Sequence, residues 1–160
     1  MTELAAATDA DFAWMLGEAP GSASLTQPPG GVDDPVVLAI VRRMSADLWA
    51  AHDRGSWMMV EAGEVVGLCS YRRAPNAAGE VEIGYGVAPA RRGLGHATRA
   101  VAAMIQAARA DPKVRVLTAS TALSNFASQK ALERNGFVEI GRDTDLEDGA
   151  LILWRRELEA

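Results

Sequence analysis

The chain has 160 residues and is 49% hydrophobic, which excludes a disordered polymer and supplies a core for a single domain over residues 1–160. Sixteen basic and 21 acidic residues give a net charge of −5, which argues against nucleic acid or an anionic membrane as partner and weakly favours a cationic or amine partner. One cysteine, Cys69, excludes a disulfide framework and a multi-cysteine zinc site, and two histidines, His52 and His96, leave little for a histidine metal centre, so no metal is expected.

The first predicted element is a short strand over Leu4 to Ala7. A helix starting at Asp9 or Asp11 follows, with Phe12, Trp14, Met15 and Leu16 as its apolar residues. Residues 19–34 carry Pro20, Gly21, Pro28, Pro29, Gly30 and Gly31 and read as a long exposed connection, of the kind that often covers a site. Asp33-Asp34-Pro35 then opens a second helix, with Val37, Ile40, Val41, Met44, Leu48 and Trp49 at helical spacing and an end near Gly55.

A strand-rich block comes next. Trp57–Glu61 and Glu64–Arg73 form a hairpin about Ala62-Gly63, and Glu80–Val87 is a third strand. In that third strand Val81, Ile83, Tyr85 and Val87 share one face, while Glu80, Glu82, Gly84 and Gly86 share the other. A glycine-rich turn leads into a helix from about His96 to Ala110, stopped by Asp111-Pro112. A strand over Val114–Thr121, a helix over Ser124–Arg134 closed by Asn135-Gly136, and strands over Phe137–Ile140 and Ala150–Arg155 complete the chain. This order predicts a mixed α/β fold, with a sheet of about seven strands and helices on both faces.

The chemistry concentrates in Val87-Ala88-Pro89-Ala90-Arg91-Arg92-Gly93-Leu94-Gly95-His96-Ala97-Thr98, which runs from strand through loop to helix start. Gly93 and Gly95 let the main chain approach a ligand closely. The first N–H groups of the following helix have no intrahelical partners, so the turn offers a phosphate site to which Arg92 adds charge. A solvated glycine turn is the plain alternative. The segment is not a P-loop, because no Gly-x-x-x-x-Gly-Lys-Ser/Thr occurs. Thr98 stands where a dinucleotide fingerprint needs glycine or alanine, and with Pro89 this disfavours a nucleotide-binding oxidoreductase.

Arg92-Gly93-Leu94-Gly95-His96-Ala97, after a strand ending Val-Ala-Pro, resembles the signature of the GNAT superfamily of acetyl-CoA-dependent N-acetyltransferases. Gly95 to Ala100, Asn125-Phe126-Ala127-Ser128 and Leu132 to Phe137 are similar to the branch containing ribosomal-protein alanine acetyltransferases. The resemblance extends from Trp57 to Trp154 and is weak before it. It implies a GNAT-like, mostly antiparallel sheet that holds acetyl-CoA in a V-shaped gap between the Glu80–Val87 and Val114–Thr121 strands. It places the acetyl-CoA contacts at Val87, Arg92, Gly93, Leu94, Gly95, His96, Ala97, Thr98 and Asn125, with Asn125 on the pantetheine amide or, alternatively, capping its helix.

Acetyl transfer to an amine needs an oxyanion donor, for which a main-chain N–H near Gly86 or Val87 is expected. It needs a base, for which Glu82 is the candidate and Glu80 the rival on the same face. The thiolate is best protonated. Leu132 occupies the position of the tyrosine many superfamily members use, so the resemblance passes this role to Ser128, or leaves Ser128 a helix-start serine. The acceptor is a small-molecule or peptide amine, and a catalytically silent acyl-CoA-binding regulatory module is the alternative function.

The remaining singletons read as structural. Cys69 is expected to be a small buried strand residue, and Tyr85 and Tyr71 to pack in the sheet. His96 is expected in solvent, and His52 at a helix end that suits its dipole. Trp14, Trp49, Trp57 and Trp154 read as core or rim, with Trp49 and residues of the 19–34 loop as candidates for the acceptor pocket. Asp143, Asp145, Glu147 and Asp148 form an acidic run, read as a solvated loop or a contact for a cationic acceptor. No apolar run reaches the ~20 residues of a bilayer span and no signal-like start is present, so a cytoplasmic location is expected. A homodimer is compatible with the sequence.

Overall fold

The computed structural model describes residues 1–146 and 149–159. The elements are β1 (Glu3–Ala6), α1 (Asp9–Met15), α2 (Pro35–His52), β2 (Ser56–Glu61), β3 (Glu64–Tyr71), β4 (Glu80–Val87), α3 (His96–Arg109), β5 (Val116–Ala122), α4 (Phe126–Arg134), β6 (Val138–Asp145) and β7 (Gly149–Glu157). They form one seven-stranded sheet in the order β1-β2-β3-β4-β5-β7-β6. Neighbouring strands are antiparallel throughout except β4 and β5, which α3 connects as a parallel crossover.

Local chemistry sets the helix boundaries. The Thr8 hydroxyl accepts the Asp11 N–H, and the Asp11 carboxylate accepts the Thr8 N–H, which starts α1 with two satisfied donors. Asp34 accepts the Val36 N–H at 2.8 Å and Pro35 takes the first helical position, so α2 starts where its sequence predicts. Its end comes at Asp53, in the left-handed region at φ 64°. Asn125 caps α4 by accepting the Ser128 N–H at 3.2 Å, which leaves Ser124 outside the helix.

Two strands differ from expectation. A turn closed by Val114 N–H on the Asp111 carbonyl keeps Val114 out of β5, which begins at Val116. β6 runs on to Asp145 because its residues pair with β7 as far as Asp145↔Gly149. Asp143 and Asp145 therefore belong to a strand at the edge of the sheet, where charge discourages pairing with another chain. Glu147 and Asp148 of the same acidic run lie outside the described residues.

Helices cover both faces. On one, α3 buries Ala100, Val101, Met104, Ile105 and Ala108 against Met59, Cys69, Val81, Ile83 and Leu117, together with Leu132 of α4. Each such Val, Leu, Ile or Met side chain contributes about 1.5–3 kcal/mol, and the alanines less. On the other, Phe12 of α1 and Leu38 of α2 pack with Val32, Met58, Val65 and Leu68. Ser45 of α2 and Ser56 of β2 share a buried hydrogen bond of 2.7 Å. Among the described residues, no helix is long and apolar enough to cross a membrane.

The crossover leaves the sheet incomplete at one place. β4 and β5 pair only over Glu80↔Val116, Val81↔Leu117 and Glu82↔Thr118. From Ile83 onward β4 keeps its β3 neighbour and has no β5 partner, while β5 continues alongside β7 to Ala122.

Candidate active site

The opening between β4 and β5 has polar walls by construction. The Ala88 N–H bonds to the Val66 carbonyl and the Glu82 carbonyl accepts the Arg72 N–H, so even-numbered residues of β4 direct their backbone groups to β3. Odd-numbered residues therefore turn N–H and C=O toward the opening, and beyond the pairing these belong to Tyr85 and Val87. Of the two expected main-chain donors, Val87 faces the gap; Gly86 does not, because as an even-numbered residue it directs its N–H to β3.

A cavity of about 620 Å³ continues from this opening over the glycine-rich turn. Its lining includes Tyr85, Val87, Arg92, Gly93, Gly95, Ala97, Thr98, Asn125 and Ser128. A short 3₁₀ turn at Pro89–Arg91 redirects the chain, and Gly93 and Gly95 then take φ of 80° and 82°. These values disfavour any residue with a Cβ. Gly95 caps α3 with no side-chain hydrogen bond, so the first N–H groups of a 14-residue helix point into the cavity with the positive end of its dipole.

The two arginines separate by role. Arg91 makes a two-pronged ion pair with Glu64, at 2.5 and 3.0 Å, which holds the Glu64 carboxyl below its ordinary range. Arg92 is exposed and, among the described residues, reaches only the Val87 carbonyl, at 3.3 Å, which leaves most of its guanidinium for a ligand. Leu94 is 58% exposed at the tip of the turn and is not part of the cavity wall. His96 is corrected from solvent to interior. It is 6% exposed, and its Nδ1 lies 3.0 Å from Arg99 and 3.4 Å from Thr2. Arg99 also donates to the Leu94 carbonyl at 3.0 Å and so braces the turn from behind.

On the far wall, the Asn125 carboxamide oxygen is engaged in capping, and its amide nitrogen is left for the cavity. Ser128 touches Tyr85, a hydroxyl expected to pack in the sheet. The Tyr85 hydroxyl donates to the Ser128 carbonyl at 3.2 Å and lies 2.7 Å from the Ser128 hydroxyl. A phenol has one proton, so in that arrangement the serine hydroxyl is the donor of the short bond. Burial pushes the Tyr85 phenol up, with the Ser128 hydrogen bond acting the other way, so it keeps its proton at neutral pH. The face alternation of β4 was the only available signal for Tyr85, because its partner lies 43 residues away in sequence. Leu132, at the position of the expected family tyrosine, is fully buried in the core.

Glu82 stands on the opposite face of β4, at the last paired position before the opening. Its Oε2 lies 3.3 Å from Arg72 Nε and 3.5 Å from the Ser120 hydroxyl. The side chain is 37% exposed, which leaves room for a third partner. Glu80 is held by Arg155 at 2.7 Å and by Asn76, and that pairing keeps its carboxyl below the usual range. It sits where the two strands are joined, so it is the poorer base on both counts.

Other singletons fall outside the opening. Burial pushes the Cys69 thiol far up, consistent with an inert strand residue. His52 is buried rather than simply placed at a helix end, and its Nε2 lies 2.6 Å from Asp111 Oδ2. Trp49 bonds to the Ala7 carbonyl and lines a separate crevice of about 320 Å³ between α1 and α2.

Residues 4–138 match the family model described as an acetyltransferase (GNAT) domain. No curated protein matches the chain significantly. Among solved structures, the aminoglycoside acetyltransferase AAC(6′)-Ib in complex with coenzyme A aligns at a TM-score of 0.70 and 19% identity, over 98% of this chain and 95% of that one. A Salmonella typhimurium acetyltransferase that modifies the N-terminal serine of the 50S ribosomal subunit protein L7/L12 aligns at 0.70 and 17% identity, over 99% and 95%. A GNAT-family acetyltransferase from Streptococcus pneumoniae aligns at 0.70 and 14% identity, over 99% and 100%. At these identities the likeness is one of fold.

Proposed function

Since this chain belongs to the GNAT acetyltransferase family, we propose that it transfers acetyl from acetyl-CoA to a primary amine by direct attack on the thioester. One observation carries the reading: β4 and β5 part after Glu82↔Thr118, and the opening leads without interruption to an uncapped helix start. The fit to acetyl-CoA is chemical. Uncapped N–H groups and Arg92 suit a diphosphate, and the main chain of Tyr85 with the Val87 N–H, beyond the β5 pairing, suits the amides of an extended arm.

Acetyl-CoA supplies an electrophilic carbonyl and a thiolate leaving group. The Val87 N–H donates to the carbonyl oxygen as negative charge gathers there. Glu82, on the other face, takes the proton from the amine as its nitrogen bonds to the acetyl carbon. Ser128 swings its hydroxyl proton from Tyr85 to the departing sulfur, and the Tyr85 phenol turns its own proton from the Ser128 carbonyl to the serine oxygen and replaces it. The two proton transfers lie on opposite sides of the strand, so the base and the acid do not neutralise each other.

Calorimetric titration with acetyl-CoA tests the reading, with Gly95→Trp as the control that fills the turn. Binding by the wild type and its loss in the variant support it; no binding by the wild type refutes it. CoA-thiol release across an amine library then separates an enzyme from a binding module. Acetyl-CoA binding without turnover of any amine, and no effect of Glu82→Gln, would favour the module.

A further inference from the structure

The cavity is cationic in an acidic protein. The chain has a net charge of −5, yet the cavity wall includes Arg91, Arg92, Lys130 and Arg134 and, among the described residues, no aspartate or glutamate. Glu64 neutralises Arg91. The other three have no carboxylate partner among the described residues, and the side chains of Lys130 and Arg134 make no hydrogen bond there either. Lys130 and Arg134 lie four residues apart on α4, so they share one side of the helix, ~6 Å apart along its axis. Like charges at that spacing oppose each other. Arg134 falls in the last turn, where a cation suits the helix dipole, but Lys130 is at mid-helix and gains nothing from it. The helix spans the cavity from one end toward the other. Near its start the Ser128 hydroxyl meets Tyr85 at the opening between β4 and β5. At its end the Asn135 amide donates to the carbonyl of Thr98, in the first turn of α3, at 3.0 Å. Arg134 therefore stands beside the start of α3, with Lys130 one turn nearer the opening.

We propose that Lys130 and Arg134 form a second anion subsite, whose ligand is a phosphomonoester on the nucleotide end of the acyl donor; this rests on the acetyltransferase reading above. The helix start and Arg92 already answer a diphosphate, so two unpaired cations on the facing wall are charge in excess of it. A phosphomonoester carries about −1.5 to −2 charges at neutral pH and accepts from several donors at once. A lysine as a point charge and an arginine as a planar fork suit that group together. The cavity, at about 620 Å³, is of the size that holds a whole small-molecule ligand and not a diphosphate alone. Coenzyme A carries the required group as the 3′-phosphate of its ribose, and its dephospho form lacks that group alone. With the dephospho form bound, both side chains would stay unpaired. The subsite therefore makes the protein select between the two.

The test is calorimetric titration with coenzyme A and with 3′-dephospho-coenzyme A at one fixed low ionic strength. The wild type is expected to bind coenzyme A about tenfold more tightly, the effect of charge-assisted contacts from exposed side chains. The double variant Lys130→Gln, Arg134→Gln is expected to bring that ratio down to about one by weakening coenzyme A alone. Its affinity for the dephospho form is expected to stay at the wild-type value, which also reports that the variant is folded. Arg92→Gln is expected to weaken both ligands together and leave the ratio unchanged, because it serves the group they share. Equal affinity of the wild type for the two ligands, an unchanged ratio in the double variant, or loss of the ratio in Arg92→Gln would overturn the proposal while leaving the acetyltransferase reading intact. Failure of the wild type to bind either ligand overturns both.

Discussion

Glu82→Gln separates the base from everything else around it. The carboxamide keeps the shape of the side chain and can still accept from the Ser120 hydroxyl, but it cannot take a proton. Loss of a positioned base costs about 10²–10⁴ in kcat. Stability should hardly change, because the Arg72 pairing is 55% and 37% exposed on its two sides and such pairs contribute about 0–1 kcal/mol. Affinity for acetyl-CoA should also be unchanged, since the side chain lies on the face of β4 away from the cavity. The residual activity has a predictable pH dependence. With no base, only amine already free in solution reacts. At pH 7 that is about one-tenth of an α-amine with a pKa near 8, and under about 0.1% of a lysine amine with a pKa near 10.4. The activity of Glu82→Gln should therefore rise about tenfold per pH unit until the pH reaches the acceptor's pKa, and the wild type should show a flatter profile. The assay is CoA-thiol release from pH 6.5 to 9.5 at saturating acetyl-CoA, about the range bracketing those pKa values, with acetyl-CoA binding measured alongside. Retention of more than about half the wild-type rate at pH 7, far above the 10²-fold minimum loss, would refute the assignment. So would a parallel loss of acetyl-CoA affinity, which would mean that Glu82 shapes the cavity.

The other expectations are narrower. Tyr85→Phe and Ser128→Ala should each lower kcat with little change in the KM for acetyl-CoA, and the double variant should lose less than the product of the two; additive losses would show that the hydroxyls act separately. Gly95→Ala should destabilise the fold by about 1–2 kcal/mol in urea, because alanine is strained at φ 82° and its Cβ would displace Arg99 from 2.8 Å away; an unchanged midpoint would mean that the turn relaxes freely. His52→Ala should destabilise the fold by about 3 kcal/mol in urea, since it strands the buried Asp111 carboxylate; a loss below about 1 kcal/mol would mean that the pair is not formed in solution.

Reading the chain residue by residue reached furthest where the chemistry is local. The turn from Arg92 to Ala97 was legible because left-handed glycines and an uncapped helix start are consequences of a few neighbouring residues. The two faces of β4 were legible because side chains alternate along any strand. The parting of β4 and β5 came from resemblance and not from any residue pattern, and the register confirms it. Polar composition hid most of β6, whose residues become a strand only because β7 is there to pair with them.

What the amino-acid order determined by itself was the set of elements, the glycine bend before α3, and the side of the strand on which Glu82 stands. Those follow from backbone sterics, helix-end hydrogen bonding and the two-residue pleat, none of which needs a distant partner. Only the folded molecule decided which hydroxyl meets Ser128, that His96 turns inward, that Arg155 holds Glu80 and leaves Glu82 as the more available carboxylate, and that Lys130 and Arg134 line the same cavity as Arg92. Each of these joins residues far apart in the chain, so each depends on how the sheet and its two helical layers close on one another.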